Sequence, residues 1–299
     1  MGSPPVVELG RFTRLSDARE RGLVLAACGV THAIGRDGDD WFLQIARQDL
    51  SRAVSELAAY EAELAGREAP VEEVFPAVPH WSLAIVAVIV IGFAVTQAEM
   101  GDIWRAAGVL SSPLVCERGE WWRTVTALTL HADVPHVVAN LCAGLLFGGL
   151  LITSFGQGLA WLSVVLAGAL GNALTAWAYF PEPHCSLGAS TAVFGALGLL
   201  VGDALGRLVQ RRTGRSWWCW MLPLGAGVSL LAFLGAGEGK GNVDVLAHLW
   251  GFVVGGPLGL GIAICKPNPN SRLLQCICGL CVLLILGLAW IVGIKASQL

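Results

Sequence analysis

Long apolar runs recur along this chain, and nothing constrains its fold more. They cover residues 81–95, 134–152, 159–179, 188–205, 217–234, 243–265 and 273–294. Several approach or exceed the ~18 residues that a helix needs to cross hydrocarbon. Only 14% of residues are charged and 55% are hydrophobic, against roughly 25% charged in an ordinary soluble domain. The reading is an all-α polytopic membrane protein with seven spans. The net charge of −3 argues against nucleic acid as a partner. No basic segment precedes an apolar one near Met1, so no cleavable signal peptide is expected.

Residues 1–79 are polar enough to form a separate soluble piece. Gly22 to Thr31 reads as a strand, Gly35 to Asp40 as a turn, and Trp41 to Ile45 as a second strand. Leu50, Val54, Leu57, Ala58 and Leu64 recur at helical spacing, which predicts a helix from Asp49 to Leu64. The expectation is a β-β-α module followed by a linker. The domains expected are therefore 1–79, a membrane core over 80–266, and a further C-terminal span over 267–299.

Arg207, Arg211, Arg212 and Arg215 crowd the connection after the fourth span, and Lys266 and Arg272 flank that after the sixth. By the positive-inside rule both connections face the cytoplasm, as does the N-terminal module. Spans two, four and six then begin on the outer side. That places His136, Ser190 and His248 at one shallow depth. The loops holding Cys116 and Cys185 also fall outside, where a disulfide between them is an option.

Serine needs a neighbouring base to become a nucleophile. Gly188-Ala189 presents Ser190 at the mouth of the fourth span. Gly251, Gly255 and Gly259 follow His248 at i+3, i+7 and i+11, a small-residue face that lets another backbone come close. Span four offers Gly195, Gly198 and Gly202 in return. Packing there brings His248 toward Ser190, with Phe194 one turn below to support the imidazole. Asn140 lies at i+4 from His136 on one helix face. Both are candidate donors to a tetrahedral oxyanion, as is the Ser190 backbone N–H.

Plainer readings compete. A serine in a membrane helix commonly bonds back to its own helix, and Asp244 suits a helix cap. Ser186 is a rival nucleophile. The histidines lack the spacing of a metal site, and no cofactor is expected.

Taken together, these residues resemble the rhomboid intramembrane serine proteases over about residues 81 to 265. The resemblance rests on Trp122-Arg123 in the first loop, His136-xxx-Asn140, Gly188-Ala-Ser190, and Asn242-x-Asp244-x-x-Ala247-His248-x-x-Gly251, in the family's order. It implies a six-helix core with an added C-terminal helix. It implies a Ser190–His248 dyad, oxyanion donors from Asn140, His136 and the Ser190 N–H, and cleavage of single-pass membrane proteins. A bacterial inner membrane, with the site opening outward, is the expected location. Thr191 stands where the family usually has Gly, Phe194 where Tyr is common, and Trp250 where Gly is common. The extra atoms of Thr191 are expected to narrow the site, and Trp250 to face lipid. The alternatives are a non-proteolytic binding or quality-control protein on the same scaffold, and a small-solute transporter. The oligomeric state is left open.

Overall fold

The computed structural model describes residues 5–66, 80–210, 218–235 and 244–298. Among these the chain forms two compact units, divided between Val74 and Phe75.

The first unit is a small α+β module. Its strands are β1 (Val6–Phe12), β2 (His32–Asp37) and β3 (Asp40–Ala46), and its helices are α1 (Leu15–Ala27) and α2 (Leu50–Gly66). The sheet order is β1-β3-β2, antiparallel throughout. Leu25, Val30, Leu43, Ile45 and Ala53 form its core. The expected strand over Gly22–Thr31 is not there, because those residues are mostly the second half of α1. Ala18, Gly22 and Leu25 are its buried positions, spaced i, i+4 and i+7, which is a helical face. Gly29, at φ +72°, breaks the helix. The strand that the reading placed too early begins at His32, and β1 was not foreseen. The module is thus β-α-β-β-α. The second strand and the last helix lie where periodicity put them.

The second unit is almost wholly helical. It contains α3 (Trp81–Glu99), α4 (Gly101–Gly108), α5 (Ser112–Cys116), α6 (Arg123–Thr126), α7 (Val134–Phe155), α8 (Gln157–Tyr179), α9 (Ser190–Gln210), α10 (Trp218–Gly235), α11 (Val245–Cys265) and α12 (Arg272–Ser297). Two short strands, β4 (Leu110–Ser111) and β5 (Cys185–Ser186), pair across the loops. Among the described residues six helices are long and apolar enough to cross a membrane: α3, α7, α8, α9, α11 and α12. The fifth expected span corresponds to α10, whose described apolar stretch, Trp220–Phe233, is shorter. This is an integral membrane protein. Arg207 closes α9. Arg211, Arg212 and Arg215, on which the orientation partly rested, lie outside the described residues.

Helix α9 is the axis. Thirteen of its residues are buried, from Thr191 to Gly206. Its small residues interlock with those of α11, and both helices run the same way. A Cβ at Gly251 would overlap the Thr191 carbonyl, one at Gly255 the Gly195 carbonyl, and one at Gly259 the Leu199 carbonyl. From the other side, Gly198 and Gly202 sit on the carbonyls of Phe252 and Gly256. Equal steps of four residues on both helices hold one register along the crossing.

The connection between α3 and α7 is held by buried hydrogen bonds. Arg123, 7% exposed, donates to the carbonyls of Ala106 and Val109 at 2.8 and 2.9 Å and pairs with Glu120. Thr126 donates to the Gly108 carbonyl, and the Asn172 amide reaches the Thr124 carbonyl. Gln97 clasps the His131 backbone through both its N–H and its C=O. Trp122, whose indole N–H donates to the Ala107 carbonyl at 3.3 Å, and Arg123 therefore brace the loop by satisfying its buried carbonyls.

Candidate active site

Helices α7, α9 and α11 all begin at one end of the bundle. Each brings a polar side chain there within its first two turns. Asp133 caps α7 by accepting from the His136 N–H at 2.8 Å, and Asp244 caps α11 by accepting from the Ala247 N–H at 3.0 Å. Asp244 is thus the helix cap that its position suggested. Ser190 is the first residue of α9.

Gly188 makes this turn possible. Its φ of +137° lies where L side chains rarely go. A Cβ there would also stand 2.7 Å from Cε1 and 2.9 Å from Nε2 of His136, and 3.5 Å from the Ser190 hydroxyl oxygen. The His136 ring and the Ser190 hydroxyl therefore border one small space above a bare backbone. The Gly188 N–H donates to the Ala127 carbonyl, which fixes the turn.

His248 is 6% exposed and lies on Phe194, 4% exposed, with ring centroids 4.4 Å apart and planes tilted by 30°. The Thr191 carbonyl touches Gly251, one turn beyond His248. The structure thereby brings Ser190, Phe194, His248 and Gly251 to one crossing of α9 and α11. Asn140, 8% exposed, faces inward from the second turn of α7, and its amide nitrogen has no hydrogen-bond partner among the described residues. A buried amide donor left unbonded costs about 1–3 kcal/mol. Such a group is a donor in want of an acceptor.

Two expectations change. Thr191 does not narrow the mouth: it is 2% exposed, and its methyl points at Gly171 of α8, which has no side chain to meet it. Trp250 is half-buried with its indole N–H enclosed, so it does not simply face lipid. Ser186 lies in β5, paired opposite Leu110, in the loop ahead of α9. Cys116 and Cys185 are both free thiols, so the disulfide considered between them is not formed. No cluster of three or more His, Cys, Asp or Glu suited to a metal occurs among the described residues. The Asn242 part of the last motif lies outside them.

Two neighbours of the site carried no periodic signal. His131 is buried beside His136, ring centroids 5.4 Å apart and nearly perpendicular. His184 pairs with Asp244 at 2.7 Å. A histidine in a loop shows its partner only when the chain is folded.

A hydroxyl, a buried imidazole and an enclosed amide donor gathered at one end of a helix bundle define a class: a polytopic membrane protein with a polar site set into its apolar core. Comparison with known proteins gives the family. The Rhomboid domain model matches residues 118–265. The putative rhomboid protease YdcA of Bacillus subtilis is 30% identical over 175 residues, 58% of this chain and 82% of its own. Rhomboid protease GluP of the same organism is 29% identical over 150 residues, 50% of this chain and 27% of its own. RHOMBOID-like protein 7 of Arabidopsis thaliana is 31% identical over 160 residues, 52% of this chain and 48% of its own. The chain belongs to the rhomboid family. It spans about a quarter of the length of GluP and about half that of RHOMBOID-like protein 7.

Proposed function

We propose that this protein is an intramembrane serine endopeptidase that cuts transmembrane segments of single-pass membrane proteins. The observation that carries the reading is the α9–α11 crossing, where His248 rests on Phe194 and Thr191 touches Gly251. This crossing supports a pairing of the His248 imidazole with the Ser190 hydroxyl, which precedes Thr191 by one residue. The names of YdcA and GluP as proteases agree with it.

In this reading His248 takes the Ser190 proton as the hydroxyl oxygen attacks the scissile carbonyl. The Asn140 amide, His136 and the Ser190 backbone N–H stabilise the oxyanion. His248 then gives its proton to the leaving amine, and water, deprotonated by the same imidazole, hydrolyses the acyl-enzyme. The carboxylate that completes the triad of other serine proteases is not required; Phe194 orients the ring instead. A substrate helix must unwind to offer a carbonyl, because its backbone bonds are otherwise all made. Small or helix-breaking residues near the cut are therefore preferred. The site opens to the outer face of the membrane, a bacterial inner membrane in this reading, with the N-terminal module in the cytoplasm.

The test is labelling of the detergent-solubilised protein with a fluorophosphonate probe, beside Ser190→Ala and His248→Ala. The expected outcome is labelling of the parent chain that both substitutions abolish. Labelling that survives Ser190→Ala refutes this assignment and moves the nucleophile, with Ser186 next in line. No labelling of a folded parent chain, with small probes as well as large, favours a non-proteolytic member.

A further inference from the structure

The loop between α8 and β5 carries His184, a residue that the proposed mechanism leaves unused. Its Nε2–H donates to Asp244 Oδ2 at 2.7 Å. The other carboxylate oxygen, Oδ1, accepts from the Ala247 N–H at 3.0 Å, and the Asp244 carbonyl accepts from the His248 N–H at 3.2 Å. One aspartate thus receives the loop on one oxygen and the first turn of α11 on the other. His248 is in that turn.

His184 is itself firmly mounted. Its ring stacks on Tyr179 at the end of α8, centroids 3.7 Å apart and planes 13° from parallel. Its backbone N–H donates to the Ser112 hydroxyl at 2.9 Å, and its carbonyl accepts from the Ser112 N–H at 3.0 Å. The Ser112 hydroxyl donates in turn to the Glu182 carbonyl at 2.7 Å, and Ser112 is fully buried. The Asp244 side chain is only 10% exposed, so the bond to a carboxylate is sheltered from water and is of the stronger, charge-assisted kind. A cap alone fixes the helix end to itself. The bond from His184 fixes that end to α5 and α8, outside the α9–α11 pair.

We propose that His184 is a positioning residue of the site: through Asp244 it anchors the first turn of α11 and so sets where the His248 imidazole stands relative to Ser190. This rests on the serine-protease reading. An imidazole misplaced by about 1 Å is enough to cost on the order of 100-fold in rate. A bond that merely added stability would leave the rate of a folded enzyme unchanged.

The experiment uses the full chain in detergent and follows fluorophosphonate labelling of Ser190, separating the maximal inactivation rate from the probe's apparent affinity. Thermal unfolding is measured in parallel. Expected for His184→Asn, whose amide is too short to reach Asp244, is a maximal rate at least about tenfold lower with the affinity held. Expected for His184→Gln, which restores a donor near the Nε2 position, is recovery of most of that loss. In an Asp244→Ala background, His184→Asn should add nothing, because the two act as one unit. A folded His184→Asn that labels at the parent rate overturns the proposal, as does a loss that His184→Gln fails to recover at equal thermal stability. An additive effect in the double variant also overturns it. If the parent chain does not label, or labels after Ser190→Ala, the serine reading fails first, and the controls tell the two failures apart.

Discussion

At the scale of single residues, the candidate site gathers polar groups at one end of an apolar helix bundle. Asn140 is the sharpest case, an enclosed amide with no partner for its nitrogen among the described residues. If that donor serves the oxyanion, Asn140→Ala lowers the maximal rate about 100-fold with little change in substrate affinity. Because the ground state leaves the donor unbonded, the same change costs little thermal stability. Steady-state cleavage of a transmembrane peptide and a melting curve check both halves. His131 makes a second prediction. Burial first, and then the neighbouring His136, push its imidazole down to about 4, with the Thr129 carbonyl pulling least and the other way. The unfolded chain titrates near 6.5. The native state therefore holds a neutral ring, and unfolding takes up a proton between these values. The stability this contributes is complete above about pH 6.5 and is lost progressively as pH falls toward 4. His131→Leu should flatten the fall in unfolding midpoint over that range. A slope equal to the parent's would show that His131 does not titrate so. That Ser190, His248, His136 and Asn140 lie near neighbouring helix starts was legible in the sequence because motifs and helix spacing mark them. His131 and His184 were not, since they lie in loops, where no helical spacing marks a residue.

At the scale of elements, the α9–α11 pair shows what a glycine pattern can and cannot say. The spacing of Gly251, Gly255 and Gly259 identifies a face that seeks close contact, because every third or fourth residue of a helix lies on one side. It does not say how close. Gly202 and Gly259 stand against backbone carbonyls with no room for a methyl group, whereas Gly261, on the same helix as Gly259, has nothing within 4 Å. Gly202→Ala or Gly259→Ala must push the helices apart and should cost about 1–3 kcal/mol, with slower Ser190 labelling as His248 moves away. Gly261→Ala meets open space and should be neutral, or more stable by up to about 1 kcal/mol from helix propensity. Melting of the three variants side by side decides it; equal losses would mean that the glycines act through flexibility rather than contact. The module shows the opposite outcome. Gly22 to Ala27 is apolar in an unbroken run, which suits strand and helix alike. The preceding Leu15 to Arg21, read together with it, carries the helical face.

At the scale of the whole molecule, the last helix is not an appendage to the other membrane helices. Trp290 of α12 is buried between Trp104 and Phe93, centroids 4.3 and 5.8 Å away, and above Gly108. Its indole N–H donates to the Thr129 hydroxyl at 3.1 Å. At the other end of α12, Gln275 serves two helices at once. Its oxygen accepts from the N–H groups of Gly158 and Leu159, opening α8, and its amide donates to the Phe155 carbonyl, closing α7. Those are orphan groups of two helix ends, which have no partner within their own helices. A sequence reading could count α12 as a further apolar span, but an isolated Gln and Trp in such a span do not say what they touch. Gln275→Leu leaves two donors and an acceptor unbonded and should cost on the order of 3 kcal/mol. Trp290→Ala empties an aromatic seat, a change that typically costs about 3–5 kcal/mol. That seat adjoins the loop leading through Thr129 and His131 to α7, where His136 and Asn140 reside. The effect should therefore reach the site: Trp290→Ala should slow Ser190 labelling at temperatures where the protein is still folded. Leu283→Ala, at a position 57% exposed on the same helix, should leave both labelling and melting near those of the parent. If Trp290→Ala lowers the melting temperature but labels at the parent rate while folded, α12 supports the bundle without bearing on the chemistry. If Leu283→Ala is as damaging, α12 acts through its lipid-facing side as well.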